Sequence, residues 1–194
     1  TAFLILVAYY GTEAYAAYGI GVQILSFSFV IGFGFSIAGA TLVGQHLGAG
    51  NPDQAKRAGW GAMRLSIISM TFFGILIAVF AQPLARFMID NDEVVRLSVI
   101  FIWLLGSMQP LMAIEFSLGG ALRGAGDTKT PLAITLTCLL FIRVFLAVIF
   151  FLLDASIEII FSTLVADYVV KGFLYVSRFR SDKWMNALQS KEVS

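Results

Sequence analysis

Apolar stretches long enough to cross a lipid bilayer constrain this chain most strongly. A membrane-spanning helix needs about 20 mainly apolar residues, and 59% of the 194 residues are hydrophobic while 13% are charged. Five complete stretches of this kind follow an apolar opening segment at 1–10, and they cover residues 14–46, 55–82, 94–122, 130–153 and 156–178. None shows the alternation of a membrane β-strand, which extends over about ten residues. The sequence therefore predicts an all-α integral membrane protein.

The predicted organisation is one six-helix transmembrane lobe followed by a tail. Residues 1–183 would form the lobe, with Pro83 just after the second full span, and residues 184–194 would form a C-terminal tail. Because the chain opens with Thr inside an apolar segment, we expect its first helix to be truncated and the chain to be a piece of a longer protein.

Lys and Arg residues are distributed unevenly over the predicted loops. One side carries Lys56, Arg57, Arg64, Arg123, Lys129, Arg178, Arg180, Lys183 and Lys191, whereas the other carries Arg86 and Arg96. Basic loops stay in the cytoplasm, so this bias predicts a multi-pass protein of the plasma (inner) membrane with a cytoplasmic C-terminus. The net charge of +1 and the scattered basic residues argue against a nucleic-acid partner.

Four charged residues lie inside the apolar stretches: Glu115, Arg143, Asp167 and Lys171. Each charge in a bilayer interior costs about 2.5 kcal/mol or more, so such residues usually form ion pairs or serve a function. Arg143 and Asp167 fall at similar depths, which predicts that they pair, with Asp167 and Lys171 as the alternative pair at (i, i+4). The four residues are thus either structural ion pairs or a coupling site. In a coupling site, Glu115 or Asp167 would bind H⁺ or Na⁺, and no other metal site is predicted.

Other residues within the spans are candidates for a substrate pocket. Gln23 and Gln109 place amides in apolar surroundings, Met112 adapts to irregular shapes, and Arg143 adds a charge. Pro110 predicts a kink, because proline removes one hydrogen bond of a helix and frees a backbone carbonyl.

Small residues recur every four positions along the first full span, at Ser36, Ala40, Gly44 and Gly48. This spacing places them on one helix face, where small side chains let a second helix approach closely. We therefore expect a tight helix–helix contact along this stripe.

Two glycine-rich motifs end apolar stretches on the predicted cytoplasmic side. The first, VGQHLGAGN, runs over 43–51 and includes Gly44, Gln45, Gly48 and Gly50; the second, GALRGAGDT, runs over 120–128 and includes Arg123, Gly124, Gly126 and Asp127. Glycine at a helix end permits a left-handed exit from the helix. Asp127 is expected to cap the following helix, and Arg123 is expected to pair with Asp127 at (i, i+4).

With these two motifs at this separation, the chain resembles the multidrug and toxic compound extrusion (MATE) family of secondary transporters. The resemblance covers nearly all of the chain and implies half of a twelve-helix fold, namely the second six-helix lobe. It implies a functional acid on the helix that carries Glu115, although in the family that acid usually lies about one turn further from the Leu-Arg-Gly motif, near Met112.

The resemblance further implies a transporter and not an enzyme. Such a protein would export amphipathic, cationic small molecules in exchange for Na⁺ or H⁺, without a cofactor, and would work with the missing N-terminal lobe or a second copy. Two alternatives stay open: a related flippase of lipid-linked oligosaccharides, with a more cationic cavity, and a non-transporting membrane assembly module.

Overall fold

The computed structural model describes residues 11–153 and 157–186, and this part of the chain is helical, as predicted. The opening segment 1–10 and residues 187–194 of the predicted tail lie outside the described residues. The helices are, in order, α1 (Thr12–Gly48), α2 (Pro52–Val79), α3 (Ala81–Met88), α4 (Asp92–Ser107), α5 (Gln109–Gly124), α6 (Lys129–Thr137), a π-helical segment (Cys138–Val144), α7 (Phe145–Leu152), α8 (Ile157–Arg180) and a 3₁₀ turn (Lys183–Asn186).

Three continuous helical stretches among the described residues are long and apolar enough to cross a membrane. They are α1, α2 and the run from α6 through α7, and the bent pair of α4 and α5 makes a fourth if it is one span. Many large apolar side chains point outward, among them Phe27, Phe33 and Phe72, which are 73%, 59% and 62% exposed. An apolar outer surface of this kind suits contact with lipid.

Helices α1 and α5 pack closely through small residues on both sides. A Cβ added to Gly120 would meet the backbone of Ser36, and one added to Gly124 would meet the backbone of Ala40. Gly44 approaches the carbonyl oxygen of Gly124 in the same way. The predicted contact stripe is therefore confirmed at its first three positions, whereas a Cβ on Gly48, its last member, would meet nothing within 4 Å.

The predicted kink lies at the junction of α4 and α5. The two helices are bent by 52° around Met108. Pro110 has no N–H to donate to the carbonyl of Gly106, four residues earlier, so a straight helix cannot continue through this point.

A second proline acts earlier than the sequence predicts. Helix α2 ends at Val79 and α3 begins at Ala81, although the predicted span continues to residue 82. The reason is that Pro83 cannot donate to the carbonyl of Val79, so the break falls before the proline and leaves it in the first turn of the next helix.

The helical run from α6 to α7 is interrupted by the π-helical segment, which contains Arg143. Short π-helical insertions often occur at functional sites. Here the insertion lies where α8 packs against the run.

The end of the described chain folds back onto the bundle. Trp184, which the sequence assigns to the tail, is fully buried and stacks on Phe179 with ring centroids 4.6 Å apart. Its indole Nε1 donates to the carbonyl oxygen of Phe179 at 2.8 Å. Structurally, Trp184 is therefore part of the core of the lobe.

Candidate functional site

Three of the four buried charges meet between α5 and α8. The ammonium of Lys171 lies 2.9 Å from Oδ2 of Asp167, one turn earlier on α8, and 3.8 Å from Oε1 of Glu115 on α5. The Asp167 side chain is fully buried, that of Lys171 is 7% exposed and that of Glu115 is 21% exposed. One cation therefore bridges two carboxylates inside the bundle.

The alternative predicted pair, Asp167 with Lys171, is thus present. Oδ2 of Asp167 accepts from Lys171, whereas its other oxygen, the buried Oδ1, has no hydrogen-bond partner. Arg143, on the π-helical segment, lies within Coulombic range of Glu115. Tyr168 covers the cluster from α8, with the Lys171 ammonium 5.3 Å from the centre of its ring.

Gln109 and Met112, two of the pocket candidates, are buried in the first turn after the kink, on the helix that carries Glu115. Neither the amide nitrogen nor the amide oxygen of Gln109 has a hydrogen-bond partner, and its aliphatic part packs against Gly74 of α2. Met112 forms a small buried cluster with Met70 and Ala113. An amide that is fully buried and unpaired is costly. The kink therefore contains a hydrogen-bond donor and an acceptor that the fold leaves without partners.

Gln23 lies elsewhere. Its side chain is exposed, and it lines a surface groove of about 260 Å³ with Phe27 of α1 and with Leu84 and Phe87 of α3. A larger groove, of about 490 Å³, runs between α2 and α4 and is bordered by Trp103. The structure therefore does not bring Gln23 together with the charged cluster.

Each glycine-rich motif ends its helix with the same type of C-terminal structure. Gly50 and Gly126 adopt left-handed backbone angles, with φ of 73° and 82°. After α1, Asn51 N–H donates to the carbonyl of His46 and Gly50 N–H to that of Leu47. Asp127 N–H and Gly126 N–H make the equivalent bonds to Leu122 and Arg123 after α5. These are the two bonds of a Schellman motif, so the glycines act in the fold as predicted.

Asp127 joins two helices at the second motif. Its Oδ1 accepts from the backbone N–H of Thr130 at 3.2 Å, which confirms the predicted cap, and its Oδ2 accepts from Arg178 of α8 at 2.6 and 2.9 Å. Burial tends to raise the pKa of Asp127, but the hydrogen bonds from Arg178 and Thr130 outweigh it and hold the pKa below its ordinary value.

The predicted pairing of Arg123 with Asp127 is wrong. Arg123 donates to the hydroxyl of Ser36 on α1 at 2.9 Å, because the left-handed residue Gly126 turns the chain away from the helix face on which residues four apart would meet. The carboxylate is taken instead by Arg178, 51 residues later. Sequence spacing gives no signal for this partner, since only the fold brings α8 to the loop.

The side chains of the first motif are less engaged. Gln45 is exposed and His46 is partly buried. Their backbone carbonyls accept the bonds that end α1. The motif therefore acts mainly through its backbone and through the small residues that touch α5.

Comparisons with known proteins agree with this architecture. Residues 1–149 match the family model MatE. The probable multidrug resistance protein NorM of Thermotoga maritima is 35% identical, over 90% of this chain and 38% of that protein. A probable multidrug resistance protein NorM of Mesorhizobium japonicum is 33% identical, over 62% of this chain and 27% of that protein. The chain thus spans less than half of the length of these relatives.

Two solved structures share the fold. One is a transporter of the MOP superfamily from Pyrococcus furiosus and the other is a MATE protein in a bent conformation; both have a TM-score of 0.77 and 18% sequence identity. Each match covers 90% of this chain, and it covers 38% and 39% of the respective structures. This coverage agrees with a partial lobe, and together with the family match it confirms what the two motifs indicate: the chain belongs to the MatE family.

Proposed function

We propose that this chain forms one lobe of a secondary active antiporter that exports amphipathic, cationic small molecules in exchange for Na⁺ or H⁺. The observation that supports this function best is the cluster of Glu115, Lys171 and Asp167 inside an apolar bundle. An ion pair alone would satisfy one carboxylate. The cluster instead holds two carboxylates on one ammonium, and the more exposed one, Glu115, makes the longer contact.

Glu115 is the proposed coupling residue because it is the loosest member of the cluster. Its Oε1 lies 3.8 Å from the Lys171 ammonium, beyond direct hydrogen-bonding distance, whereas Asp167 is held at 2.9 Å. Loading Glu115 with a cation changes the charge of a site shielded from water, where electrostatic interactions are strong. The membrane potential supplies the energy, at about 2.3 kcal/mol per unit charge and 100 mV.

In the proposed mechanism, α5 bends at the kink that precedes Glu115. Met112 lies between Pro110 and Glu115 on α5, so a change at the carboxylate is close to the least regular point of the helix. The unpaired amide of Gln109 and the neighbouring Met112 are the proposed polar and apolar contacts for substrate. Gln23 would contribute only through the groove that it lines with α3.

Transport by alternating access needs a second body, which this lobe would face across a central cavity. We propose that the second body is the lobe N-terminal to this chain in a longer protein, or a second copy. The C-terminus would lie in the cytoplasm of a plasma-membrane protein, as the distribution of basic residues favours. A flippase is less favoured, because the cluster balances its two carboxylates with Lys171 and Arg143.

The test is transport by the full-length protein that contains this chain, reconstituted in liposomes. Na⁺ and pH gradients are imposed separately, and efflux of a fluorescent organic cation is followed. At least one gradient should drive efflux, and Glu115→Gln should reduce it to background, because the amide keeps the shape of the side chain but carries no charge. Glu93→Gln is the matched control, since Glu93 is an exposed carboxylate paired with Arg96. Wild-type exchange by Glu115→Gln, or efflux that ignores both gradients, would contradict the proposal.

A further inference from the structure

Lys171 places its ammonium where a metal cation held by Glu115 and Asp167 would have to lie. Nζ is 2.9 Å from one carboxylate and 3.8 Å from the other, and the side chain is almost fully buried. Any Na⁺ that bound both carboxylates would meet this ammonium at close range, and like charges repel strongly where water is excluded.

The surroundings of Lys171 do not offer a way to avoid this repulsion. Besides Lys171, the titratable groups within Coulombic range of Glu115 are Arg123 of α5, Cys138 and Arg143 of the π-helical segment, and Asp167, Tyr168 and Tyr175 of α8. Two of them are further cations. Helix α7 contains no titratable residue, and those of α4 and α6 lie near the start of each helix and are exposed.

A proton does not meet the same obstacle. It binds to a single carboxylate oxygen and needs no shell of several ligands, so the ammonium can stay in place while Glu115 changes from –COO⁻ to –COOH. Asp167 remains ionised and keeps its contact with Lys171. The 21% exposure of the Glu115 side chain leaves it the more accessible of the two acids.

We propose that Lys171 is the resident cation of this site and determines its ion specificity, so that the coupling ion is H⁺ and not Na⁺. This inference rests on the proposed function and chooses between the two ions that it leaves open. Lys171 acts by occupying the space between the carboxylates and by holding Asp167, not by contacting substrate.

Removing the ammonium of Lys171 should convert the site into one that binds Na⁺. In Lys171→Met the two carboxylates face each other without their cation, and the buried Oδ1 of Asp167, which has no partner, becomes available together with Oδ2. This variant should acquire Na⁺ binding, whereas Lys171→Arg, which keeps a cation, should not. Lys129→Met, at an exposed lysine, is the matched control.

The experiment measures equilibrium binding of radiolabelled Na⁺ to the full-length protein in detergent, and in parallel the shift in its melting temperature on adding NaCl in place of a salt of a bulky organic cation. We expect no saturable Na⁺ binding by the wild type, Lys171→Arg or Lys129→Met, and saturable, Glu115-dependent binding by Lys171→Met. In liposomes, the wild type should respond to a pH gradient and not to a Na⁺ gradient.

Saturable Na⁺ binding by the wild type that is lost in Glu115→Gln would overturn the proposal, and this measurement does not depend on whether Lys171→Met folds. A folded Lys171→Met protein that binds no Na⁺ would also overturn it. Failure of the proposed function looks different: neither gradient would then drive efflux, while the Na⁺-binding comparison would still decide the role of Lys171.

Discussion

The loop end of α5 and its first half, only a few turns apart, differ in whether their polar groups find hydrogen-bond partners. At the loop end, Asp127 accepts from both Arg178 and Thr130, and Arg123 donates to Ser36. In the first half of α5, the amide of Gln109 is buried without a partner, and so is one oxygen of Asp167 on the neighbouring helix α8. The first region is satisfied and tightly packed, whereas the second retains unused hydrogen-bonding capacity.

This difference distinguishes the residues that hold the family fold together from the residues of the proposed ion site. The motifs that identify the family are built from glycines whose missing side chains let α1 and α5 touch, and the charged side chains of the second motif, Arg123 and Asp127, are hydrogen-bonded within the fold. A site that binds and releases an ion needs groups whose interactions change between states. The proposed site uses groups in the first half of α5, around Glu115 and Gln109, where no motif marks them.

The largest effect on stability is expected at the close contact of the loop end. Gly124→Ala places a Cβ against the backbone of Ala40, which cannot rotate away as a side chain could. Overpacking of this kind costs about 3 kcal/mol, the upper end of the usual range. The measurement is the apparent unfolding free energy in mixed detergent micelles.

Gly34→Ala is the matched control for that variant, because a Cβ there meets nothing within 4 Å. It should stabilise α1 by about 0.5–1 kcal/mol, since alanine restricts the unfolded chain and favours a helix. Equal destabilisation by the two variants would mean that the contact between α1 and α5 is not the cause, and the contrast between the two regions would be lost.

The next effect concerns the ion pair that joins the loop to α8. Asp127→Asn keeps an oxygen for Thr130 but loses the charge that Arg178 binds at 2.6 Å. Hydrogen bonds to charged groups contribute about 1.5–3 kcal/mol, and Arg178 is partly exposed, so we expect a loss of about 2 kcal/mol. Asp53→Asn, at an exposed position, is the control and should change little.

The pH dependence of this loss has a definite sign. The pKa of Asp127 in the folded protein lies below its ordinary value, so the stabilisation is fully present above the ordinary pKa of about 3.9. It disappears as the pH falls through the lower, folded value. The stability difference between wild type and Asp127→Asn should therefore be constant near neutral pH and shrink in acid. A difference that grows in acid would refute the assignment.

A smaller effect of opposite sign is expected at the start of α5. Gln109→Leu replaces an unpaired buried amide by an apolar group of similar size, which should raise the unfolding free energy by about 1 kcal/mol. Gln109→Ala instead leaves a cavity against Gly74 and should lower it. If Gln109→Leu were as destabilising as Gln109→Ala, the amide would have to be satisfied in the folded protein, and the two regions would no longer differ.

The two regions also differ in how far the sequence predicts them. The helical character of the chain, the small-residue stripe from Ser36 to Gly44, the kink at Pro110 and the cap by Asp127 all follow from local sequence, because they depend on residues within a few turns. Two features of the second motif do not: the partner of Asp127 is distant in sequence, and the contact of Gly124 with Ala40 needs two helices in register.

The candidate site was predictable in composition but not in arrangement. Buried charges at Glu115, Asp167 and Lys171 are visible because charge is rare in an apolar run. That one ammonium bridges both acids depends on how α5 and α8 are rotated toward each other, which hydropathy does not specify. The π-helical segment is likewise unmarked, since CLLFIRV reads as an ordinary apolar helix apart from Arg143.

The smallest effect is expected at a partly exposed ion pair, Lys56 with Asp182. Lys56 and Asp182 form a contact of 2.6 Å between the start of α2 and the residue before the 3₁₀ turn, but their side chains are 36% and 44% exposed. Exposed pairs contribute about 0–1 kcal/mol. Asp182 has a φ of 57°, a conformation that Asn also tolerates, so Asp182→Asn removes the charge without straining the backbone. We expect a loss below about 0.5 kcal/mol, declining further as salt is added. A loss of about 2 kcal/mol, insensitive to salt, would show that the ion pair, rather than buried Trp184, fixes the end of the chain.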